Sequence, residues 1–263
     1  IVAAVLLWGY FTQALSGWAL LGLLIIALTG GLDDRFSLSP RLRLLAELVA
    51  GFALGMHFWG VLGGLGLGLA VVLVLLMSNA VNLIDGMNGL AAGNALISAA
   101  GLAALLWSAT AGAGLAVILA ASLLGFLFWN YPRAKTFMGD SGSLSIGYLL
   151  AMLLLMAATQ GWATFLAALV MVGFPLYDTA AGIIRRWRRG KPIFDGDRDH
   201  TYDRLDQLYL QNPAKTVAVV WLVSGVLVLV GLVVVKVGVG IGLVLSALLA
   251  AMLFWGAYRL GSL

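Results

Sequence analysis

Asn79, Asn82, Asp85 and Asn88 recur at intervals of three inside Ser78-Asn79-Ala80-Val81-Asn82-Leu83-Ile84-Asp85-Gly86-Met87-Asn88-Gly89-Leu90. Apolar runs enter and leave this stretch, and polar groups in membrane-type sequence are costly, so they read first as functional. On a regular helix the four would wind gradually around the surface. Gly86 and Gly89 predict that the helix loosens there and lets them converge. The competing structural reading is polar glue between packed helices.

Three further insertions carry chemistry. Asp33 and Asp34 are adjacent acids ahead of Ser39 and Pro40, which make an N-cap and a first helical position. Paired carboxylates can bind Mg²⁺, or one can take a proton while the other stays charged. Arg43 lies four residues before Glu47, a spacing that predicts pairing along one helix face, with a phosphate contact by Arg43 as the alternative. Asp140 precedes a helix start, with Ser141 and Ser143 as cap candidates. A helix N-terminus attracts phosphate, and a carboxylate there can hold the Mg²⁺ of a diphosphate. The third insertion is the largest loop, 185–213. Its run from Arg185 to Lys191 predicts contact with anionic headgroups. Beyond it, Arg198 and His200 stand among acids, where they could reach a diphosphate or its sugar. His57, beside Phe58 and Trp59, reads as interfacial.

The elements that must position these groups are membrane helices. The chain of 263 residues is 62% hydrophobic and 10% charged, against about 25% charged in a soluble domain. With no cysteine and two histidines, a thiolate or histidine-rich metal site is not expected. Apolar segments fall at 1–11, 17–31, 41–57, 64–84, 91–107, 113–129, 143–158, 162–184, 214–235 and 238–258. The reading is an all-α polytopic membrane protein of one domain, 1–263, with about ten transmembrane helices. The first segment is too short to span, and Ile at position 1 predicts missing upstream sequence. If the loop at 32–40 is cytoplasmic and the segments alternate, every Lys and Arg except Lys236 falls on the cytoplasmic side. The acids crowd at the same face, which is therefore the predicted address of the active site. A cation-coupled transporter would spread its acids through the bilayer depth.

Taken in order, Gly31-Leu32-Asp33-Asp34 with Leu38-Ser39-Pro40, the 79–90 motif, Phe137-Met138-Gly139-Asp140-Ser141-Gly142-Ser143 and the 197–205 stretch resemble the polyprenyl-phosphate N-acetylhexosamine-1-phosphate transferases. The resemblance covers about residues 31–205. It implies transfer of N-acetylhexosamine-1-phosphate, most simply GlcNAc-1-phosphate, from a UDP-sugar to undecaprenyl or another polyprenyl phosphate. UMP is released, and Mg²⁺ is required, with Mn²⁺ as a substitute. It also implies the bacterial inner membrane as location, cytoplasmic catalytic loops and a first step of a cell-envelope glycan. No nucleic-acid partner is expected, and a homodimer stays open.

The resemblance implies roles as well. Asp140 is the Mg²⁺ ligand, and Asn82 shares it. Asp33 and Asp34 match the acidic pair that serves the lipid phosphate, and Asp85 the acid of the central motif. Asn88 and Phe137 match nucleotide contacts, with Asn79 in the same substrate-binding group. Arg43 stands where a basic residue helps bind substrate. Arg198 and His200 match the loop that reaches diphosphate and sugar. One departure stands out. Many bacterial members read His-x-His-His-Arg-Leu where this chain has His200-Thr201-Tyr202-Asp203-Arg204-Leu205. That argues against the phospho-N-acetylmuramoyl-pentapeptide transferase branch and leaves an inactive scaffold as a rival.

The chemistry fits the residues on its own terms. Lipid phosphate attacking a β-phosphate joins two anions, and cations that neutralise them orient an in-line displacement. Direct displacement is the preferred route, with a covalent aspartyl intermediate on Asp33 or Asp34 as its rival.

Overall fold

A computed structural model describes residues 1–191 and 199–263. Its regular elements are helical: α1 (Val2–Thr12), α2 (Gly17–Phe36), α3 (Pro40–Leu83), α4 (Leu90–Leu105), α5 (Thr110–Asn130), α6 (Gly139–Thr159), α7 (Trp162–Met171), α8 (Gly173–Arg188), α9 (Thr201–Leu205), a π-helical turn at Asp206–Leu210, and α10 (Pro213–Arg259). Among the described residues, five helices are long and apolar enough to cross a membrane: α2, α3, α5, α6 and α10. A sixth span results if α7 and α8, bent by 70° at Val172, count as one. The run 162–184, expected as one segment, is therefore broken, and Gly173 and Pro175 sit where a helix yields most easily.

Two of the long helices double back. In α3 the backbone reverses at Gly63, with φ 55° and ψ −146°, and in α10 at Gly238, with φ 81° and ψ 176°. Both conformations lie where a Cβ is strained, so glycine suits both tips. The arms of α3 pack closely enough that a Cβ on Gly51 would lie 2.8 Å from Val71 Cα, and one on Gly55 2.8 Å from Leu67 Cα. The break between the expected segments 41–57 and 64–84 is thus a tight hairpin.

The core is built on α6, whose residues Ser143–Ala158 are all buried. A helix apolar on every side belongs in the middle of a bundle. It packs against α3, α2 and α7. In lipid, close packing and cross-helix hydrogen bonds replace the hydrophobic drive between helices. Here Tyr148 Oη donates to Ala19 O at 2.8 Å, Ser78 Oγ to Leu144 O at 3.2 Å, Asn94 Nδ2 to Ser224 Oγ at 2.7 Å and Ser98 Oγ to Met171 O at 2.9 Å. Gly147 lies directly on the backbone of Met77 and Ser78, leaving no room for a methyl group. Gly147→Ala should push α6 off α3 and cost about 1–3 kcal/mol. Thermal unfolding in detergent should show the lowered midpoint.

Candidate active site

The polar groups gather where one end of the bundle brings together the end of α2, both ends of α3 and the start of α6. Ser39 caps α3 as its sequence suggests, accepting from Leu42 N, with Pro40 at the first helical position. This start aims Arg43 back toward α2. Its Nη2 lies 2.6 Å from Asp33 Oδ2, a close ion pair without hydrogen-bond alignment, and donates to Asp140 Oδ2 at 3.2 Å. Asp33 is held from its other side by Leu38 N, which donates to Oδ1 at 2.7 Å. Asn82, in the last turn of α3, donates through Nδ2 to Asp140 Oδ1 at 2.7 Å and to Ser143 Oγ at 2.9 Å. One guanidinium thus bridges two carboxylates from different helices, and an amide fixes the orientation of one of them.

Asp34 does something else. Asp140 N donates to its Oδ1 at 2.7 Å and Ser141 N to its Oδ2 at 3.2 Å. The acid that caps α6 therefore comes from α2, and not from Asp140, Ser141 or Ser143. Its charge also suits the positive end of the α6 dipole. The N-terminal seat that the sequence offers to a phosphate is filled by the protein's own carboxylate.

The expected Arg43–Glu47 pair does not form. Glu47 is fully buried, and Asn79 Nδ2 donates to its Oε2 at 2.6 Å and to Leu75 O at 2.9 Å. Asn79 is therefore engaged one turn deeper than Asn82, inside the α3 hairpin. The helix ends at Leu83, as Gly86 and Gly89 foretell, and α4 begins after Gly89, whose φ is 80°.

Asp85 lies in the intervening turn, with solvent access. Burial among the surrounding groups, and then the nearby charge of Asp140, still push its carboxyl up to about 7. Asn88 is exposed and donates to Pro132 O at 3.4 Å. With Gly86, Met87, Pro132, Pro213 and Ala214 it lines a recess of about 240 Å³. Phe137 is 78% exposed on the neighbouring loop.

His200 belongs to a second group. It is buried, its Nδ1 is 2.6 Å from Asp178 Oδ2 on α8, and its ring stacks on Tyr202 with centroids 5.4 Å apart. Arg198 lies outside the described residues. Arg185 and Arg186, expected on headgroups, are buried, and Arg185 Nη1 donates to Ser262 O at 2.8 Å. The C-terminal turn has captured an arginine that local sequence assigns to the surface. Beyond α8, Asp199 accepts from Arg189 Nη1 at 2.6 Å and pairs with Arg204 at 2.9 Å. The hydrogen bond from Arg189 lowers its carboxyl below the usual range, helped by the charge of Arg204.

Sequence reasoning gave no site role to Asp178 or Asn130, although both lie at the predicted cytoplasmic face. Asp178 is the only acid in the run 162–184, which is itself a signal. Asn130 Oδ1 accepts from Gly89 N at 2.6 Å and its Nδ2 donates to Thr136 O at 2.9 Å. It ties the 82–89 turn to the loop that carries Phe137. Among the described residues, no group of three or more His, Cys, Asp or Glu side chains could hold a metal ion.

The chain is 34% identical to the "Probable undecaprenyl-phosphate N-acetylglucosaminyl 1-phosphate transferase" of Bacillus subtilis (strain 168), covering 85% of this chain and 67% of that protein. It is 32% identical to the "Decaprenyl-phosphate N-acetylglucosaminephosphotransferase" of Mycobacterium leprae (strain TN), covering 70% of this chain and 56% of that one. It is also 32% identical to the "Undecaprenyl-phosphate alpha-N-acetylglucosaminyl 1-phosphate transferase" of Escherichia coli (strain K12), covering 68% and 54%. The chain thus spans little more than half the length of the last two. The family model "Glycosyl transferase family 4" matches residues 17–158, more than half of the chain and all of the Asp33–Arg43–Asn82–Asp140 cluster. The chain belongs to glycosyl transferase family 4.

Proposed function

We propose that this chain transfers N-acetylglucosamine-1-phosphate from UDP-N-acetylglucosamine to a polyprenyl phosphate, releasing UMP. The observation that carries the reading is the convergence of Asp33, Arg43, Asn82 and Asp140 from three helices at one end of an apolar bundle. Relatives named for the same transfer support the acceptor and the sugar.

The site suits a hard divalent cation. Two carboxylates, Asp33 and Asp140, converge on one positive group, and Mg²⁺ is commonly held by one or two carboxylates with substrate phosphates and water. Asp140 and Asp33 would hold it, and Asn82 would act by orienting Asp140. When bound, Mg²⁺ neutralises the diphosphate and polarises the bond to the departing UMP. Arg43 stands beside it, where a guanidinium binds phosphate oxygens in a fixed fork. Asp34 keeps Asp140 in register. The recess beside Asn88, with Phe137 exposed near it, is suited to the nucleotide.

The reaction lies at the cytoplasmic face of a bacterial inner membrane on this reading. The charge asymmetry supports that side. The doubling back of α3 and α10 supports a count of crossings above the six candidate spans, because each arm of 20 residues or more reaches roughly 30 Å.

UMP release by the purified chain in detergent tests the proposal. Release that requires both undecaprenyl phosphate and Mg²⁺ is the expected result. Silence with every UDP-N-acetylhexosamine, from protein with an intact thermal transition, would overturn it.

Asp85 adds a pH dependence. Its carboxyl is raised to about 7, so it is neutral below that pH and charged above it. If the charged form assists the lipid phosphate, UMP release rises with pH through about 7. Asp85→Asn should lower the plateau and remove this step from the profile.

A further inference from the structure

Asp178 is the one acid of α8, and it is 1% exposed. Both of its oxygens are engaged by a single downstream segment. Oδ2 is 2.6 Å from His200 Nδ1, and Oδ1 accepts from Thr201 N at 3.1 Å. The carboxylate therefore grips the imidazole and the first backbone N–H of α9 together. Tyr177, its neighbour, reaches Thr201 Oγ1 at 3.2 Å.

The far side of the segment is fixed to the central motif. Tyr202 stacks on His200 and donates from Oη to Leu83 O at 3.2 Å. Tyr202 also lies against Gly86, where a side chain would collide with its Oη. His200 is thus held between α8 and the turn that carries Asp85.

From this geometry we infer that Asp178 is a positioning residue for His200 in the transfer reaction. A carboxylate on one ring nitrogen fixes the orientation and the tautomer of an imidazole, and it stabilises the ring when it is protonated. It would set the direction from which His200 serves the sugar diphosphate. Asp178 touches no substrate in this role. The inference rests on the proposed function, because it needs a reaction in which His200 takes part.

A double-mutant cycle on UMP release tests it, using the full chain and the variants Asp178→Asn, His200→Ala and both together. Asp178→Asn keeps an acceptor for Thr201 N but loses the charge on the imidazole. It is expected to lower kcat at least tenfold, with KM for UDP-N-acetylglucosamine changed less than threefold. Adding it to His200→Ala should cost less than a further twofold. Asp178→Glu should recover part of the rate.

Equal losses from Asp178→Asn in both backgrounds would overturn the inference and leave Asp178 as a plain cap of α9. Full activity of His200→Ala would overturn it too. If the wild-type chain releases no UMP, the proposed function fails, and the same cycle is then read on thermal unfolding midpoints. Additive midpoints there would dissolve the Asp178–His200 coupling itself, and non-additive midpoints would sustain the pairing.

Discussion

Asp140→Asn is expected to lower UMP release by on the order of 1,000-fold while the helices stay assembled. The substitution is nearly isosteric, so an oxygen remains to accept from Asn82 Nδ2, now at 2.7 Å. The backbone N–H of residue 140 still reaches Asp34. What disappears is charge. Arg43 then faces one carboxylate where it faced two, and the cation proposed for the site loses a ligand. Because fold and cap survive, the loss should appear in kcat with little change in the thermal midpoint. A residual rate within tenfold of wild type would remove Asp140 from the centre of the reaction.

Arg43→Ala is expected to damage both stability and rate. It leaves Asp33, with 5% of its side chain exposed, facing Asp140 without the cation between them. Breaking a fully buried pair costs 3–5 kcal/mol. Here the Arg43 side chain keeps 25% exposure, so on the order of 2 kcal/mol is expected. The rate should fall by about 100-fold for want of a phosphate-binding guanidinium. Arg43→Lys should recover most of the stability, because Nη2 alone meets both carboxylates and one ammonium can imitate that contact, but less of the rate, because an ammonium lacks the fork that grips phosphate oxygens. Added Mg²⁺ should partly restore the thermal midpoint of Arg43→Ala, because a divalent cation relieves the same repulsion. If Arg43→Ala melts and reacts like wild type, the bridge carries no energy.

Much of this was legible in the sequence. Apolar runs and glycines placed the helices, and Ser39-Pro40 and Gly86 to Gly89 marked where they start and stop. What the sequence left open depends on partners far along the chain. Arg43 is four residues from Glu47, yet its partners are Asp33 on α2 and Asp140 on α6. Asn79 and Asn82 look equivalent, but one meets a buried glutamate and the other a site carboxylate. Helical spacing gives direction around an axis, and only the packed neighbour decides what lies there. Asp178 was given no role because its partner, His200, is separated from it by 22 positions.

The neighbouring acids Asp33 and Asp34 also act as a gauge. Successive residues on a helix point about 100° apart. One of the pair can therefore face Arg43 while the other clasps the start of α6. Sliding or turning α2 by a single residue would hand one duty to the wrong acid and the other to Leu32 or Arg35. The rotational setting of α2 is thus read off by α6, and with it the bearing of Asp140. A one-residue insertion or deletion in the last turn of α2 should be worse tolerated than any substitution on its lipid-facing side.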